Sequence, residues 1–310
     1  MLQQTRMEVV LRYYDNFIRR FPTVAALAAS SEDEVLAAWS GLGYYRRARM
    51  LRDGAREVMA QFGGSIPPTI DELRTISGIG RYTAGAISSI AFGHHAAIVD
   101  GNVARIVARL FGIDAPVASP ELMRAAWLAE ERLVAACRSP REFNQGLMEI
   151  GALICKPAAP LCRQCPLTAH CVAFRTGQQC SLPAPRIKPE SVSLVVPLYL
   201  IVDDQNRVLM RRERGKLMTA MFHLPHGDSS LIAAPPLPVR RGELLGTFRH
   251  TVTTRKIRFE LFSADTGFSI RDGGDYAWIH PSEIDRVPHP SYVDKALAVA
   301  ALQSSACAGG

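Results

Sequence analysis

Cys155, Cys162, Cys165 and Cys171 form a C-x6-C-x2-C-x5-C array, and no other feature limits the fold of this 310-residue chain as much. Thiolates at that spacing, closed by a short loop, suit a 4Fe-4S cluster held by four cysteines. Four thiolates also suit Zn2+, although zinc sites more often pair two short C-x2-4-C knuckles, and here the outer gaps are six and five residues. Cys137, Cys180 and Cys307 are scattered, so the cysteines read as metal ligation plus structural thiols and not as a disulfide framework.

The length allows two domains, each with its own core. A net charge of +7 favours an anionic partner. Met1 to Arg20 mixes charged and apolar residues and lacks the apolar core of a signal peptide. No run reaches the roughly 18 apolar residues of a membrane span, so no membrane partner is expected.

From Glu8 to about Phe174 the apolar residues recur at helical spacing: Val9, Tyr13, Phe17 and Phe21, then Val35, Leu36, Trp39 and Leu42. Breaks are predicted at 21–23, 40–41, 63–68, 77–80 and 112–120. Beyond a Pro-rich linker the texture changes. Ser191 to Val202, Arg207 to Arg212, Gly242 to Arg249, Ile257 to Ser263 and Tyr276 to Ile279 read as strands, with a closing helix from Ser291 to Gln303. The division predicted is a mainly α domain over 1–176 that contains the cysteine loop (155–171), a linker over 177–190, and an α+β domain over 191–303.

Between two helical patterns lies Ile76-Ser77-Gly78-Ile79-Gly80-Arg81-Tyr82-Thr83-Ala84. Glycines at 78 and 80 let the backbone turn sharply and aim N–H groups outward at a helix start, the geometry of a phosphate site. An ordinary helix–helix turn has the same pattern. Asp100 follows an apolar stretch and precedes Gly101-Asn102, which reads as a helix N-cap.

Gly78 to Ala84 resembles the helix-hairpin-helix of the endonuclease III superfamily, and the cysteine array resembles that superfamily's cluster loop. Met1 to Thr5, Gly41 to Arg49, Asp100 to Val103 and Phe143-Asn144-Gln145 are similar to MutY-type adenine DNA glycosylases. The resemblance implies a 4Fe-4S cluster on the four cysteines and a helix-hairpin-helix glycosylase domain followed by a Nudix-like domain. It implies a cytoplasmic, nucleoid-associated monomer that acts on double-stranded DNA carrying A:8-oxoG or A:G mispairs. The implied reaction is removal of the mispaired adenine in base excision repair.

Residue by residue, the resemblance makes Asp100 the carboxylate that stabilises positive charge on the deoxyribose as the glycosidic bond breaks, with Asn102 supporting the site. Tyr82 stands where bifunctional relatives carry a Schiff-base lysine, which implies base excision without an efficient lyase step. Gln4 and Tyr44 match intercalating residues beside the lesion, Thr5 and Leu42 contact the oxidised base, and Gln145 reads the flipped adenine. Gly78 and Gly80 anchor phosphate.

Two departures qualify this expectation. The family's general-acid glutamate lies two residues before the methionine matched by Met1, so either the native start lies upstream or the chain is a catalytically impaired mismatch-binding protein. In the second domain, Leu224-Pro225-His226-Gly227 and Thr247 to Thr251 resemble the family, but the lesion-verifying Phe-Ser-His triplet is replaced by Val252-Thr253-Thr254. Thr253 keeps a hydroxyl there. Arg255, Lys256 and Arg258 offer backbone contacts that add affinity without specificity. An endonuclease III-like lyase is disfavoured by Tyr82, and a Nudix hydrolase by the missing G-x5-E-x7-R-E box.

Overall fold

The computed structural model describes residues 1–3, 5, 7–185, 191–213, 220–227, 237–252 and 254–307. They group into two compact units, Met1–Met59 with Pro189–Gly310, and Ala60–Lys188. The first unit opens with α1 (Met7–Arg20), α2 (Val24–Ala29), α3 (Glu32–Ala38) and most of α4 (Arg46–Phe62). Val10 and Phe17 bury one face of α1, and the Phe17 ring meets Phe21 and the edge of Trp39 at centroid distances of 4.9 and 5.7 Å. The Thr23 hydroxyl caps α2 and a Ser31–Glu34 capping box starts α3, satisfying N–H groups that the first helical turn leaves free.

The second unit holds the end of α4 and then α5 (Ile70–Leu73), α6 (Arg81–Ala86), α7 (Gly101–Phe111), α8 (Pro120–Ala136), α9 (Pro140–Glu149) and α10 (Val172–Arg175). Val99, Val103, Ile106, Val107, Leu122 and Leu147 form its core. The predicted breaks fall between these helices. One departure is the buried stretch Ala96–Val99, which runs extended between a π-helical turn at Ile87–Ala91 and α7. The α6 backbone packs so closely on it that a Cβ at Gly85 would lie 2.0 Å from the Ala97 carbonyl oxygen. Asn144 anchors the same stretch, donating to the Ala96 carbonyl (2.9 Å) and to Ser89 Oγ (2.8 Å).

The remainder of the first unit comprises β1 (Val192–Leu200), β2 (Val208–Arg212), β3 (Phe222–His223), β4 (Arg240–Val252), β5 (Arg255–Asp265), β6 (Tyr276–Ile279) and α11 (Tyr292–Cys307). One sheet has the order β1-β5-β4, with β1 parallel and β4 antiparallel to β5; the other has the order β3-β2-β6 and is antiparallel. Val196, Leu198, Met210, Phe259, Leu261, Tyr292 and Ala296 make the core, with the Phe259 and Tyr292 rings stacked at 4.6 Å. The α+β expectation holds, and each predicted strand is present. β4 and β5 run longer than their apolar pattern, because their mutual pairing from Arg240↔Asp265 to Val252↔Arg255 carries polar ends into the ladder. The two-residue β3 has no alternating pattern to announce it.

Glu130 on α8 has no exposed surface, and no cation pairs with its carboxylate among the described residues. Burial, partly offset by the Ile98 backbone and reinforced by the Glu131 charge, raises its carboxyl to about 7 from an ordinary 4.5. The folded state therefore keeps a proton that the unfolded chain has released, and stability falls as pH rises through this window. Glu130→Gln keeps the shape without the charge. It is expected to flatten the stability slope between about pH 5 and 7 and to raise Tm at about pH 8 above that of the native chain; matching Tm–pH curves for the two proteins would contradict this.

Candidate functional site

In the Ala60–Lys188 unit, Asp100 caps α7. Its Oδ1 accepts the backbone N–H groups of Asn102 and Val103, both at 2.8 Å, and its Oδ2 accepts from Asn102 Nδ2 at 3.0 Å. The N-cap reading is therefore correct, and it leaves the carboxylate half-buried at the positive end of an 11-residue helix. Asn102 Oδ1 accepts from Arg105 Nη2 (2.8 Å), which also donates to the Gly151 carbonyl (2.8 Å), while Arg105 Nε donates to the Cys155 carbonyl (2.7 Å). A Cβ at Gly151 would sit 2.6 Å from Asn102 Cβ, so the close approach requires glycine there.

Tyr82, at the start of α6, donates to Met148 Sδ at 3.5 Å. Burial, and then the Asp100 charge, raises its phenol above the ordinary value, so it stays protonated beside the carboxylate. Gln145 is exposed on α9, next to the buried anchor Asn144. In the hairpin before α6, Gly78 has φ 83°, a conformation other side chains rarely adopt. Gly80 does not share it: its φ is −84°, it caps α6 without a side chain, and open space surrounds its Cβ position.

The four cysteines line one cavity together with Arg109, Ile154, Thr168 and Phe174, and all four are free thiols. Burial, and then Cys155 and Cys171, push the Cys162 thiol up, with Arg109 pulling the other way. Arg109 is 2% exposed; its Nη1 meets Cys155 Sγ at 3.2 Å and donates to the Lys156 carbonyl, while Nε and Nη2 donate to the carbonyls of Leu182 and Pro157. No carboxylate pairs with it among the described residues, so its charge fits an anionic thiolate set.

A second group of expected residues lies in the Met1–Met59 part of the other unit, around Arg47. Its guanidinium donates to the carbonyls of Met1 (2.8 Å) and Gln3, to Thr5 Oγ1 (2.8 Å), and to the carbonyls of Leu42 and Gly43. It also stacks over the Trp39 and Tyr44 rings at 5.5 and 5.4 Å. The turn it braces is left-handed at Gly41 (φ 90°), Gly43 (φ 68°) and Tyr44 (φ 49°). Tyr44 is 54% exposed, whereas the Leu42 side chain is buried in the helical core. Gln4 and Thr253 lie outside the described residues. Val252, which precedes Thr253, ends β4 opposite Arg255, the first residue of β5.

Sequence reasoning singled out neither Arg47, Arg105 nor Arg109. Their partners are mostly main-chain carbonyls, which leave no mark on the sequence.

Residues 1–130 match the HhH-GPD superfamily base excision DNA repair protein model. The adenine DNA glycosylase of Buchnera aphidicola (subsp. Baizongia pistaciae) is 30% identical over 259 residues, which cover 82% of this chain and 73% of that protein. The chain belongs to the adenine DNA glycosylase family. Human adenine DNA glycosylase is 45% identical over 180 residues, 58% of this chain and 33% of its own. The chain thus spans about a third of the length of the human and rat relatives. A thermostable thymine-DNA glycosylase structure aligns with a TM-score of 0.50 at 29% identity, covering 56% of this chain and 80% of that one. Among the described residues no helix is long and apolar enough to cross a membrane.

The cap and the carboxylate are separable. Asp100→Asn keeps an oxygen for the N–H groups of Asn102 and Val103, so its Tm should stay near that of the native chain. Asp100→Ala removes the cap and is expected to cost about 1 kcal/mol in denaturant unfolding. Equal stability of the two variants would mean that the cap is not supporting α7.

Proposed function

We propose that this chain hydrolyses the N-glycosidic bond of adenine mispaired with 8-oxoguanine or guanine in double-stranded DNA, leaving an abasic site for base excision repair. The observation that carries the reading is the Asp100 carboxylate, fixed at the head of α7 by three hydrogen bonds and backed by the Asn102–Arg105 chain. Once adenine is extruded from the stack, positive charge develops on the sugar as the bond to the base lengthens, and a fixed carboxylate beside it lowers that barrier. Gln145 hydrogen-bonds the base. Gly78 and Gly80 hold a phosphate through main-chain N–H groups, and the open space around Gly80 suits it. Tyr44 fills the gap on the lesion side, with Gln4, Thr5, Leu42 and Thr253 around the 8-oxoguanine.

Tyr82 has no amine to form a Schiff base, so the activity is monofunctional. Cys155, Cys162, Cys165 and Cys171 would hold a 4Fe-4S cluster, which when bound cross-links the loop at four points. In this reading residues 1–176 are the glycosylase domain, 177–190 the linker and 191–303 a Nudix-like lesion-recognition domain. The protein works as a monomer in the cytoplasm, on the nucleoid.

The test is single-turnover adenine release from an 8-oxoguanine:adenine duplex, with binding recorded in the same samples. Release that Asp100→Asn slows by roughly 10³-fold or more is expected. Tight mismatch binding without release would favour the catalytically impaired mismatch-binding reading. Borohydride should trap no covalent adduct on an abasic duplex; a trapped adduct would overturn the monofunctional assignment.

A further inference from the structure

His289, just before α11, is 1% exposed, yet both of its ring nitrogens face acceptors. Nδ1 lies 2.9 Å from the Val287 carbonyl oxygen and Nε2 lies 2.8 Å from Asp294 Oδ1. A carbonyl and a carboxylate can only accept. A neutral imidazole has one N–H and makes one of these bonds; making both requires the doubly protonated ring.

The residue's main chain reaches the turn that carries Tyr44. Its carbonyl oxygen accepts from Ser40 Oγ (2.9 Å) and from the Tyr45 hydroxyl (3.1 Å), which in turn accepts the Gly41 N–H (3.3 Å). Ser40 Oγ also lies 3.4 Å from His289 Nε2. The turn needs such support, because Gly41, Gly43 and Tyr44 are all left-handed and Tyr44 has a Cβ to accommodate. Arg47 braces it from within the Met1–Met59 segment, and His289 braces it from the residues after β6.

We propose that charged His289 is a positioning residue for lesion recognition, holding the Ser40–Tyr45 turn, and with it Tyr44, in place only while it carries its second proton. The word lesion rests on the glycosylase reading; the latch itself rests on these contacts. The ionisable groups facing His289 are Asp294 on α11, Asp285 on the preceding helical turn, and Tyr45 at the start of α4. Burial disfavours the charge, but the Asp294 and Val287 bonds and the two carboxylates outweigh it and hold the imidazole above its usual value. The sign follows: the latch is closed below that raised value and opens as pH rises through it.

The experiment uses the full chain and two readouts. Amide exchange at Gly41–Arg46 is followed against pH beside the His289 imidazole NMR signal, and affinity is measured for A:8-oxoG and A:T duplexes. Exchange of the turn should accelerate about tenfold with the same midpoint as His289 titration, and the preference for the lesion duplex should fall in parallel. Asp294→Asn removes the counter-charge at a half-exposed side chain and should move both midpoints down by about one pH unit. Ser40→Ala should weaken the latch without moving the His289 midpoint.

A turn whose exchange ignores the His289 titration, or is unchanged in Asp294→Asn, overturns the latch. Turn exchange that follows the titration while lesion preference stays flat overturns its role in recognition. A native chain with no lesion preference at any pH would sink the glycosylase reading, and the exchange data would still decide on the latch.

Discussion

A guanidinium buried among sulfurs and carbonyls is the constraint on which the Ala60–Lys188 unit depends. Arg109 gives up its water for the carbonyls of Lys156, Pro157 and Leu182 and for the Cys155 sulfur. Those carbonyls satisfy its donors without neutralising it, and a buried charge without a counter-charge is unstable. A deprotonated Cys155, its sulfur 3.2 Å away, would supply what the carbonyls lack. Arg109 in turn ties Cys155 and the segment near Leu182 to one helix.

The same helix links this loop to Asp100. Arg105 stands one turn N-terminal to Arg109 and meets the Cys155 carbonyl, the Gly151 carbonyl and Asn102, which holds Asp100. Side chains four residues apart lie on one face of a helix. One stripe of α7 therefore carries the carboxylate at its head, its support a turn later and the cysteine loop beyond. The cysteine loop is thereby joined to Asp100 through Arg105 and Asn102.

Helices, breaks and the order of strands were legible because periodic burial writes them into the residue pattern: Val103, Ile106 and Val107 face inward at helical spacing, and Leu194, Val196 and Leu198 at strand spacing. Asp100 was legible as a cap. What stayed hidden depends on contacts without pattern. Arg47, Arg105 and Arg109 bond mainly to carbonyls, which every residue has. Tyr45 resembles a core aromatic, yet its hydroxyl bridges Gly41 and His289. The Leu42 side chain joins the helical core, while its carbonyl faces Arg47. The mixed composition of the first unit was hidden for a similar reason, since residues 1–59 and 189–310 are far apart in sequence and share few recognisable motifs.

Gly85 gives this arrangement its dimension. With no side chain between them, the backbone of α6 rests on the main chain of Ala97, three residues before Asp100. The hairpin at Gly78–Gly80 lies at the other end of the same short helix. The separation between the Gly78–Gly80 hairpin and the Asp100 carboxylate is thus set by two main chains in contact, a ruler with no side chain in it to give way. A methyl group at position 85 would lengthen that ruler, and in the proposed reading the register of each nucleotide presented to Asp100 would shift with it.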